Sequence, residues 1–210
     1  MIPNILYFKF TKSAFIITLC LSLISVTAQA KHMVVYGDSL SAAFGMQKEQ
    51  GWVYLLSESL NDKHTITNAS ISGETSGGGL ARLPVTLENL SPDIVFIALG
   101  ANDGLRGYST QQLTENLSHM IALIKDAGAT PVVAGISIPP SYGPRYIDQL
   151  RAVFPAVAKQ HNVDFIDMFR EDFLNTEGYM QADDLHPTAI TQPIIRDMVE
   201  TFLIQQELLD

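Results

Sequence analysis

Ser39 lies in the stretch VVYGDSLSAAFGM, residues 34–46, where an apolar run ends at Gly37 and small residues follow. A serine at a strand-to-helix turn usually caps the helix, because its hydroxyl accepts a hydrogen bond from an unpaired backbone N–H group. The same hydroxyl becomes a nucleophile when a neighbouring base removes its proton. The G-x-S-x-G elbow of α/β-hydrolases is absent, because Ser41 stands where its second glycine belongs. Taken alone, Ser39 leaves a helix cap and a nucleophile open.

His186 is the histidine whose neighbours suit acid–base chemistry, because Asp183 and Asp184 precede it and Pro187 follows it. The D-x-x-H spacing lets the Asp183 carboxylate reach back to the imidazole in a bent loop. A hydrogen bond to Nδ1 fixes the tautomer, so that Nε2 can take a proton from a hydroxyl. The alternative is a metal or surface cluster, for which no further ligands stand at matching spacing. The spacing therefore favours His186 as a base with Asp183, rather than Asp184, as its partner.

Gly73 and Asn102 could donate hydrogen bonds to a developing negative charge. A glycine in a turn can point its N–H group into a cleft without interference from a Cβ atom, and the Asn102 amide is a second donor. With the N–H group of Ser39 they would make three donors around an oxyanion. Each also has an ordinary interpretation, a glycine turn for Gly73 and a local side-chain turn for Asn102. We interpret the neighbouring acids Asp38 and Asp103 as residues that order their loops.

Five short apolar segments could position these side chains. The candidate strands comprise residues 32–36, 65–70, 93–100, 130–137 and 163–169, and the candidate helices comprise residues 51–61, 110–127, 144–161 and 188–208. Apolar runs such as residues 94–99 do not alternate with polar residues, so both faces of the sheet should be covered. The order of elements predicts an α/β fold with a doubly wound parallel sheet. Such sheets bind ligands beyond the carboxyl ends of their strands, where the candidate residues lie.

Residues 1–30 have the pattern of a signal peptide and are kept apart from the fold. Two lysines and no acid precede an apolar run that ends near Val26, and Ala28-Gln29-Ala30 matches a signal-peptidase site. The alternative is a retained N-terminal anchor, although the run is shorter than the roughly 20 apolar residues that a membrane span needs. Cleavage near Ala30 would release a periplasmic or secreted protein with a single domain, residues 31–210.

The rest of the chain is acidic and lacks cysteine, since Cys20 belongs to the signal-like segment. Without the two N-terminal lysines, 11 Lys and Arg residues oppose 22 Asp and Glu residues, and the net charge changes from −9 to −11. No disulfide and no thiol nucleophile are then available. A protein this acidic is a poor candidate for nucleic-acid binding, and it repels polyanionic ligands such as acyl-CoA at long range.

Four blocks of this sequence resemble those of the SGNH (GDSL) hydrolases: GDSLS, a glycine in SGETS, GAND and DDLHP. Their order and spacing match across essentially all of residues 31–210. The stretches NASISGETS, GLARLP and GANDGLRG resemble the bacterial periplasmic thioesterase I, lysophospholipase and arylesterase subgroup. The resemblance implies a three-layer α/β/α, flavodoxin-like fold with a five-stranded parallel sheet. It also implies Ser39 as the nucleophile, His186 as a base oriented by Asp183, and the oxyanion donors Gly73, Asn102 and the Ser39 amide.

An enzyme of this kind would cleave acyl esters and thioesters through an acyl-enzyme, without a metal or an organic cofactor. The expected substrates are aryl esters, lysophospholipids and, in vitro, acyl-CoA. We expect a monomer that touches membrane lipid only transiently and binds no nucleic acid. The loops after the third and fourth strands correspond to the borders of the acyl site in the family that the sequence resembles. Ordinary loop packing is the alternative for these loops. The expected lining is Leu105, Tyr108, Ile138, Pro139, Pro140 and Tyr142.

Two other functions stay open on the sequence alone. A carbohydrate O-deacetylase of the same family would accept only short acyl groups and would use aromatic side chains that stack on sugars. The one tryptophan, Trp52, lies on a predicted helix, which gives that function little support. A flavodoxin-like protein that binds FMN or phosphate would use SGETSGGG as an anion loop. The chain has no G-x-x-x-x-G-K-[ST] loop to accompany it.

Overall fold

The computed structural model describes residues 29–168 and 175–209. Its strands form one parallel sheet: β1 (His32–Gly37), β2 (Thr65–Asn68), β3 (Ile94–Ala98), β4 (Thr130–Gly135) and β5 (Asp164–Asp167). The order across the sheet is β2-β1-β3-β4-β5, and every neighbouring pair is parallel. The strand order reverses at β1 and β3, so the loops after these two strands flank the crevice where such folds bind ligands.

Helices cover the sheet on both faces. They are α1 (Trp52–Leu60), α2 (Ser76–Leu90), α3 (Ala101–Leu105), α4 (Thr110–Asp126), α5 (Pro144–His161) and α6 (Gln192–Gln205), with 3₁₀ turns at Lys48–Gln50 and Pro140–Tyr142. Helix α1 packs against α6, while α4 packs against both α2 and α5. These two helical layers enclose the sheet, and the predicted three-layer α/β/α, flavodoxin-like fold is confirmed.

The core explains the apolar runs in the sequence, because the central strands are covered on both faces. All five residues of β3 are buried. Trp52, at the start of α1, packs edge-on against Phe96 of β3 with ring centroids 5.8 Å apart. Its indole N–H donates to the Leu40 carbonyl at 3.2 Å, which ties α1 to the chain just after Ser39. Trp52 is only 1% exposed and therefore offers no surface on which a sugar could stack.

Helix α2 is the long helix that the sequence pattern did not locate. The pattern assigns ISGETSGGG to the loop after β2, whereas its last four residues begin α2. Three successive glycines disfavour a helix on propensity, as does Pro84 inside it. The Thr75 hydroxyl caps this helix by accepting a hydrogen bond from the Gly78 N–H at 3.2 Å. A Cβ atom on Gly79 would collide with the Leu99 side chain, so a glycine here lets α2 lie close to the end of β3.

Other differences concern the ends of elements. Strands β2, β3 and β4 each end two residues before the predicted end. The short helix α3 lies within GANDGLRG, which the pattern assigns to a loop. Helix α6 begins at Gln192, four residues after the predicted start, with Pro193 in its first turn, where the missing N–H costs nothing. Phe169 of the predicted fifth strand lies outside the described residues, as does the signal-like segment up to Ala28.

Candidate active site

Ser39 is the second residue after β1, in a tight turn that Asp38 organises. Asp38 Oδ1 accepts a hydrogen bond from the Leu40 N–H at 3.0 Å. The Asp38 carbonyl accepts from the N–H groups of Ser41 at 3.1 Å and Ala42 at 3.0 Å. The first helical turn after β1 begins at Lys48, so Ser39 caps no helix, and Asp38 closes the turn through these bonds. The Ser39 hydroxyl instead lies 2.8 Å from His186 Nε2.

The His186 imidazole connects Ser39 to Asp183. Its Nδ1 lies 2.6 Å from Asp183 Oδ2, and Asp183 Oδ1 accepts from the backbone N–H groups of Leu185 and His186 at 3.0 Å. Burial by itself raises the pKa of Asp183, but these hydrogen bonds outweigh it and hold the pKa below its ordinary value. An ionised Asp183 accepts a hydrogen bond from the Nδ1–H group of His186. The proton stays on Nδ1, so Nε2 is the nitrogen that can take a proton from Ser39.

The loop that carries both residues is closed by its own backbone. The Gln181 N–H donates to the His186 carbonyl at 2.7 Å, and the Asp184 N–H donates to the Gln181 carbonyl at 3.0 Å. Asp184 adopts a left-handed backbone with φ of 53°, and its side chain is exposed. This bend turns Asp183 back toward the imidazole, so the residue three positions before His186 is the one whose carboxylate contacts it.

Gly73 and Asn102 lie in the segments that follow β2 and β3. The Ile71 N–H donates to the Gly37 carbonyl at 3.0 Å, which keeps the chain after β2 beside the end of β1. Gly73 has a φ of 80°, a conformation that favours glycine, and its Cα faces open space. Asn102, in the first turn of α3, donates from Nδ2 to Asp38 Oδ2 at 3.3 Å. Both donor residues are thus on segments bonded to the β1 end and its turn.

Two further contacts bind α3 to the segment that carries Gly73. Arg106, which follows α3, donates from Nη2 to the Gly73 carbonyl at 3.0 Å. The buried Asp103 accepts from the Ser76 N–H at 2.7 Å and from the Ser76 hydroxyl at 2.5 Å. Asp103 thereby holds the first turn of α2 against α3. These bonds agree with the interpretation of Asp103 as a residue that orders its loop.

Asp38 is a fully buried acid beside the site. Burial raises the pKa of its carboxyl to about 7, and the charge of Asp103 acts in the same direction. The hydrogen bonds from the Leu40 N–H and the Asn102 amide act in the opposite direction. Its bond to Leu40 agrees with the interpretation of Asp38 as a loop-ordering residue. Its bond to Asn102 connects two segments of the site and was not foreseen from the sequence.

Phe44 is a site residue that sequence reasoning missed. Its ring stacks on the His186 imidazole, with the ring centroids 4.2 Å apart and the planes at 28°. The left-handed backbone of Ala43 and Gly45, with φ of 58° and 76°, presents Phe44 to the imidazole. Gln181 Nε2 donates to the Phe44 carbonyl at 3.1 Å and so ties this turn to the His186 loop. The available signal was an aromatic residue between small ones, in AAFGM, five positions after Ser39.

Two adjoining cavities lie along the chain that follows β4. The smaller, of about 190 Å³, reaches Leu40 of the Ser39 turn and Leu185 of the His186 loop, whereas the larger, of about 210 Å³, extends toward α5. Two residues of the expected lining, Ile138 and Pro140, line both cavities. The other four residues of the expected lining, Leu105, Tyr108, Pro139 and Tyr142, do not line either cavity. The sequence analysis missed Leu40, Met180 and Leu185, which line the smaller cavity. They were missed because they lie in the loops that carry Ser39 and His186, whereas the expected lining was sought in the loops after β3 and β4.

Two tyrosines hold together the loops that were expected to form the acyl cleft. The Tyr142 hydroxyl donates to the Leu105 carbonyl at 3.2 Å, and the Tyr146 hydroxyl donates to the Tyr108 carbonyl at 3.0 Å. These bonds connect the chain after β4 to the end of α3, which carries Asn102. Tyr142 and Leu105 therefore support the wall of the cleft through contacts between loops.

Within residues 29–168 and 175–209, no three His, Cys, Asp or Glu side chains form a cluster that could hold a metal ion. Over the same ranges, no helix is long and apolar enough to cross a bilayer.

Comparisons with known proteins place this arrangement among acyl hydrolases. A family model described as "GDSL-like Lipase/Acylhydrolase family" matches residues 35–192. Esterase TesA of Pseudomonas aeruginosa is 44% identical over 191 residues, which cover 89% of this chain and 95% of TesA. Arylesterase of Vibrio mimicus is 42% identical over 189 residues, with 89% and 94% coverage. Thioesterase 1/protease 1/lysophospholipase L1 of Escherichia coli is 39% identical over 170 residues, with 81% and 82% coverage.

Solved structures show the same similarity in three dimensions. A crystal structure of TesA, 44% identical, superposes with a TM-score of 0.78 and covers 82% of this chain and 98% of its own. The psychrotrophic esterase EstA from Pseudoalteromonas sp., 39% identical and inhibited by monoethylphosphonate, superposes with a TM-score of 0.79. That match covers 84% of this chain and 98% of EstA.

Proposed function

The chain belongs to the GDSL-like lipase/acylhydrolase family, and we propose that Ser39, His186 and Asp183 form its catalytic triad. One observation carries this proposal: the continuous contact from Ser39 Oγ to His186 Nε2 at 2.8 Å and from His186 Nδ1 to Asp183 Oδ2 at 2.6 Å. A nucleophile, a base and an oriented carboxylate in hydrogen-bond contact are what two-step acyl transfer needs.

In the first step, His186 Nε2 takes the Ser39 proton while Ser39 Oγ bonds to the substrate carbonyl carbon. The carbonyl oxygen becomes an oxyanion that accepts from the Ser39 N–H, the Gly73 N–H and Asn102 Nδ2. The tetrahedral species collapses, and the leaving alcohol or thiol departs with the proton held by His186. In the second step, water gives a proton to His186 and attacks the acyl-enzyme, and Ser39 recovers its proton as the carboxylic acid leaves.

The enzyme is a hydrolase of esters and thioesters. The relatives named esterase, arylesterase and thioesterase/lysophospholipase support this activity. Among its substrates we place aryl esters, lysophospholipids and, in vitro, acyl-CoA. Residues 31–210 form its one domain and act as a monomer.

A lipid ester with a neutral or zwitterionic head group suits this enzyme better than acyl-CoA. The net charge of −9, or −11 after removal of residues 1–30, repels the anionic CoA moiety at long range, whereas a zwitterionic head group experiences little of that field. The smaller cavity offers an acyl chain the apolar side chains of Leu40, Ile138 and Leu185 beside the Ser39 turn. Each methylene buried there contributes roughly 0.8 kcal/mol of transfer free energy.

Labelling with a fluorophosphonate tests the nucleophile. The reagent should modify the enzyme at Ser39, and Ser39→Ala should stay folded while losing labelling and hydrolysis of p-nitrophenyl esters. Ser41→Ala is the matched control, because the buried Ser41 hydroxyl has no hydrogen-bond partner within residues 29–168 and 175–209, so its removal should be nearly neutral. Labelling at another serine would contradict the assignment.

A substrate panel tests the acyl specificity in the same preparation. We expect kcat/KM to rise with chain length among p-nitrophenyl esters of two to sixteen carbons until the cavity ends, with turnover of lysophosphatidylcholine and palmitoyl-CoA. A sharp optimum at acetate without turnover of the other substrates would support a carbohydrate O-deacetylase instead.

Export to the periplasm follows from the pattern of residues 1–30. The mature protein should begin at Lys31 on N-terminal sequencing and should be recovered from the periplasmic fraction of a Gram-negative host. Recovery of a chain that begins at Met1 in the membrane fraction would support the retained anchor.

A further inference from the structure

Asp38 is a buried carboxyl group that transfers no proton in the mechanism above. Its two oxygen atoms have different partners. Oδ1 accepts from the Leu40 N–H at 3.0 Å and shapes the turn around Ser39. Oδ2 accepts from Asn102 Nδ2 at 3.3 Å, across 64 positions of sequence. The first bond is local, whereas the second reaches a side chain of the oxyanion hole.

A carboxylate decides which end of the Asn102 amide faces it. An ionised carboxylate can only accept hydrogen bonds, whereas the amide has an NH₂ donor at one end and an oxygen acceptor at the other. The Asp38 carboxylate therefore accepts a hydrogen bond from the NH₂ end of the Asn102 amide and repels its oxygen end. One Nδ2 proton is then held by Asp38, and the other is free for an oxyanion. A half-turn of the amide would present its oxygen in place of that donor.

The local turn does not require an acid at this position. Burial raises the pKa of Asp38 to about 7, and repulsion from Asp103 on the adjoining α3 adds to the cost of ionising it. A neutral asparagine could accept the Leu40 bond without burying a charge. The carboxylate is therefore explained better by its second partner than by the turn alone.

We propose that Asp38 is a positioning residue for Asn102, whose amide it orients so that a free Nδ2 proton faces the oxyanion. The inference rests on the proposed role of Asn102 as an oxyanion donor. It assigns the aspartate of the GDSLS block to the oxyanion hole rather than to proton transfer. It also couples the Ser39 turn to α3, the element that carries the donor.

A double-mutant cycle tests this with Asp38→Asn, Asn102→Ala and the double variant. Asp38→Asn keeps an oxygen for the Leu40 N–H but places an amide donor where Oδ2 was. We expect Asn102→Ala to lower kcat on p-nitrophenyl esters by on the order of 10²–10³ with little change in KM. Asp38→Asn should lower kcat by roughly tenfold or more, but by less than about threefold when Asn102 is already alanine.

The dependence on Asn102 separates orientation from charge. Loss of the Asp38 charge acts on the developing oxyanion and on the imidazolium with opposite sign, and it does so whether or not Asn102 is present, so only an orientation effect disappears in Asn102→Ala. The positioning role would be overturned if kcat of Asp38→Asn lay within about threefold of that of the unaltered enzyme. It would also be overturned if the loss of kcat in the double variant equalled the product of the two single losses. An Asn102→Ala enzyme with unaltered kcat would instead contradict the proposed oxyanion hole.

A measurement on the unaltered protein covers the case in which Asp38→Asn does not fold. The side-chain amide of Asn102 gives two ¹H–¹⁵N signals, which Asn102→Ala identifies by their loss. At pH 8 one of the two Asn102 amide protons should be bonded to the Asp38 carboxylate and the other should not. The chemical-shift difference between the two signals should therefore be larger for Asn102 than for the exposed Asn61. Equal separations in Asn102 and Asn61 would mean that Asp38 does not hold the amide, and would overturn the proposal.

Discussion

Phe44 covers one face of the His186 imidazole. The ring centroids are 4.2 Å apart, although 46% of Phe44 is exposed to solvent. An exposed aromatic side chain held over a histidine restricts the rotation of the imidazole. In the proposed mechanism the ring would also stabilise the imidazolium formed when His186 takes the Ser39 proton, because the face of an aromatic ring attracts a cation.

Phe44→Leu should lower kcat on p-nitrophenyl esters by about two- to fivefold, since cation–π contacts at exposed sites contribute roughly 0.5–1 kcal/mol. Phe44→Tyr keeps the ring and should retain kcat. Val85→Ala, which shortens another exposed apolar side chain on α2, is the control for a general surface effect. Equal kcat values for Phe44→Leu and Val85→Ala would show that the stacked ring does not act on His186.

Asp183→Asn should reduce kcat by roughly 10³- to 10⁴-fold, because an amide at this position no longer fixes the imidazole tautomer or stabilises the imidazolium. Asp184→Asn should leave kcat within about twofold, since asparagine tolerates the left-handed backbone at this position. Steady-state kinetics and thermal melts of both variants check this. A large loss in Asp184→Asn with an active Asp183→Asn would reverse the assignment of the acid.

The stability of the fold should depend on pH through Asp38. Its carboxyl has an ordinary pKa of 3.8 and a pKa of about 7 in the fold, so between these values the folded protein holds a proton that the unfolded chain has released. This stabilises the fold at the acidic end of the range, and the stabilisation is lost as the pH rises through 7. Asp38→Asn has no such titration.

Urea unfolding of both proteins at pH 5 and pH 8 measures that difference. The free energy of unfolding of Asp38→Asn, relative to the unaltered protein, should increase by roughly 2–3 kcal/mol between the two pH values. Other groups titrate alike in both proteins and cancel. A difference that is the same at pH 5 and pH 8 would mean that Asp38 is ionised throughout this range.

Ile138→Ala should weaken the preference for long acyl chains. Ile138 is 3% exposed and lines both cavities, of which the smaller reaches the Ser39 turn. Shortening it removes wall contacts from a bound chain at a cost of about 1–2 kcal/mol, so the ratio of kcat/KM for decanoate to acetate should fall roughly 5- to 30-fold. Ile204→Ala, on the exposed face of α6, should leave the ratio unchanged. An unchanged ratio in Ile138→Ala would place the acyl chain elsewhere.

Much of the architecture could be predicted from the sequence because its signals are local. Runs such as residues 94–99 are apolar without alternation only where both faces of a strand are covered, so the sheet and its class could be predicted. Ser39 and Asn102 lie in the segments that follow β1 and β3, and parallel strands bring such segments to one edge of the sheet. Helix α2 was missed because glycine has a low helix propensity, so Gly79 argues against a helix. The tertiary structure requires a glycine there, since a Cβ atom would collide with the Leu99 side chain.

The amino-acid sequence by itself determined the fold class, the family and the residue types available for chemistry. Only the tertiary structure decided which groups meet. The bond between Ser39 and His186 spans 147 positions, and that between Asp38 and Asn102 spans 64. The contact of Phe44 with His186 and the shared cavity wall at Ile138 are of the same kind. The packing of the helices on the sheet sets the distances on which such contacts depend. No local sequence pattern indicates that two side chains far apart in the chain will come into contact.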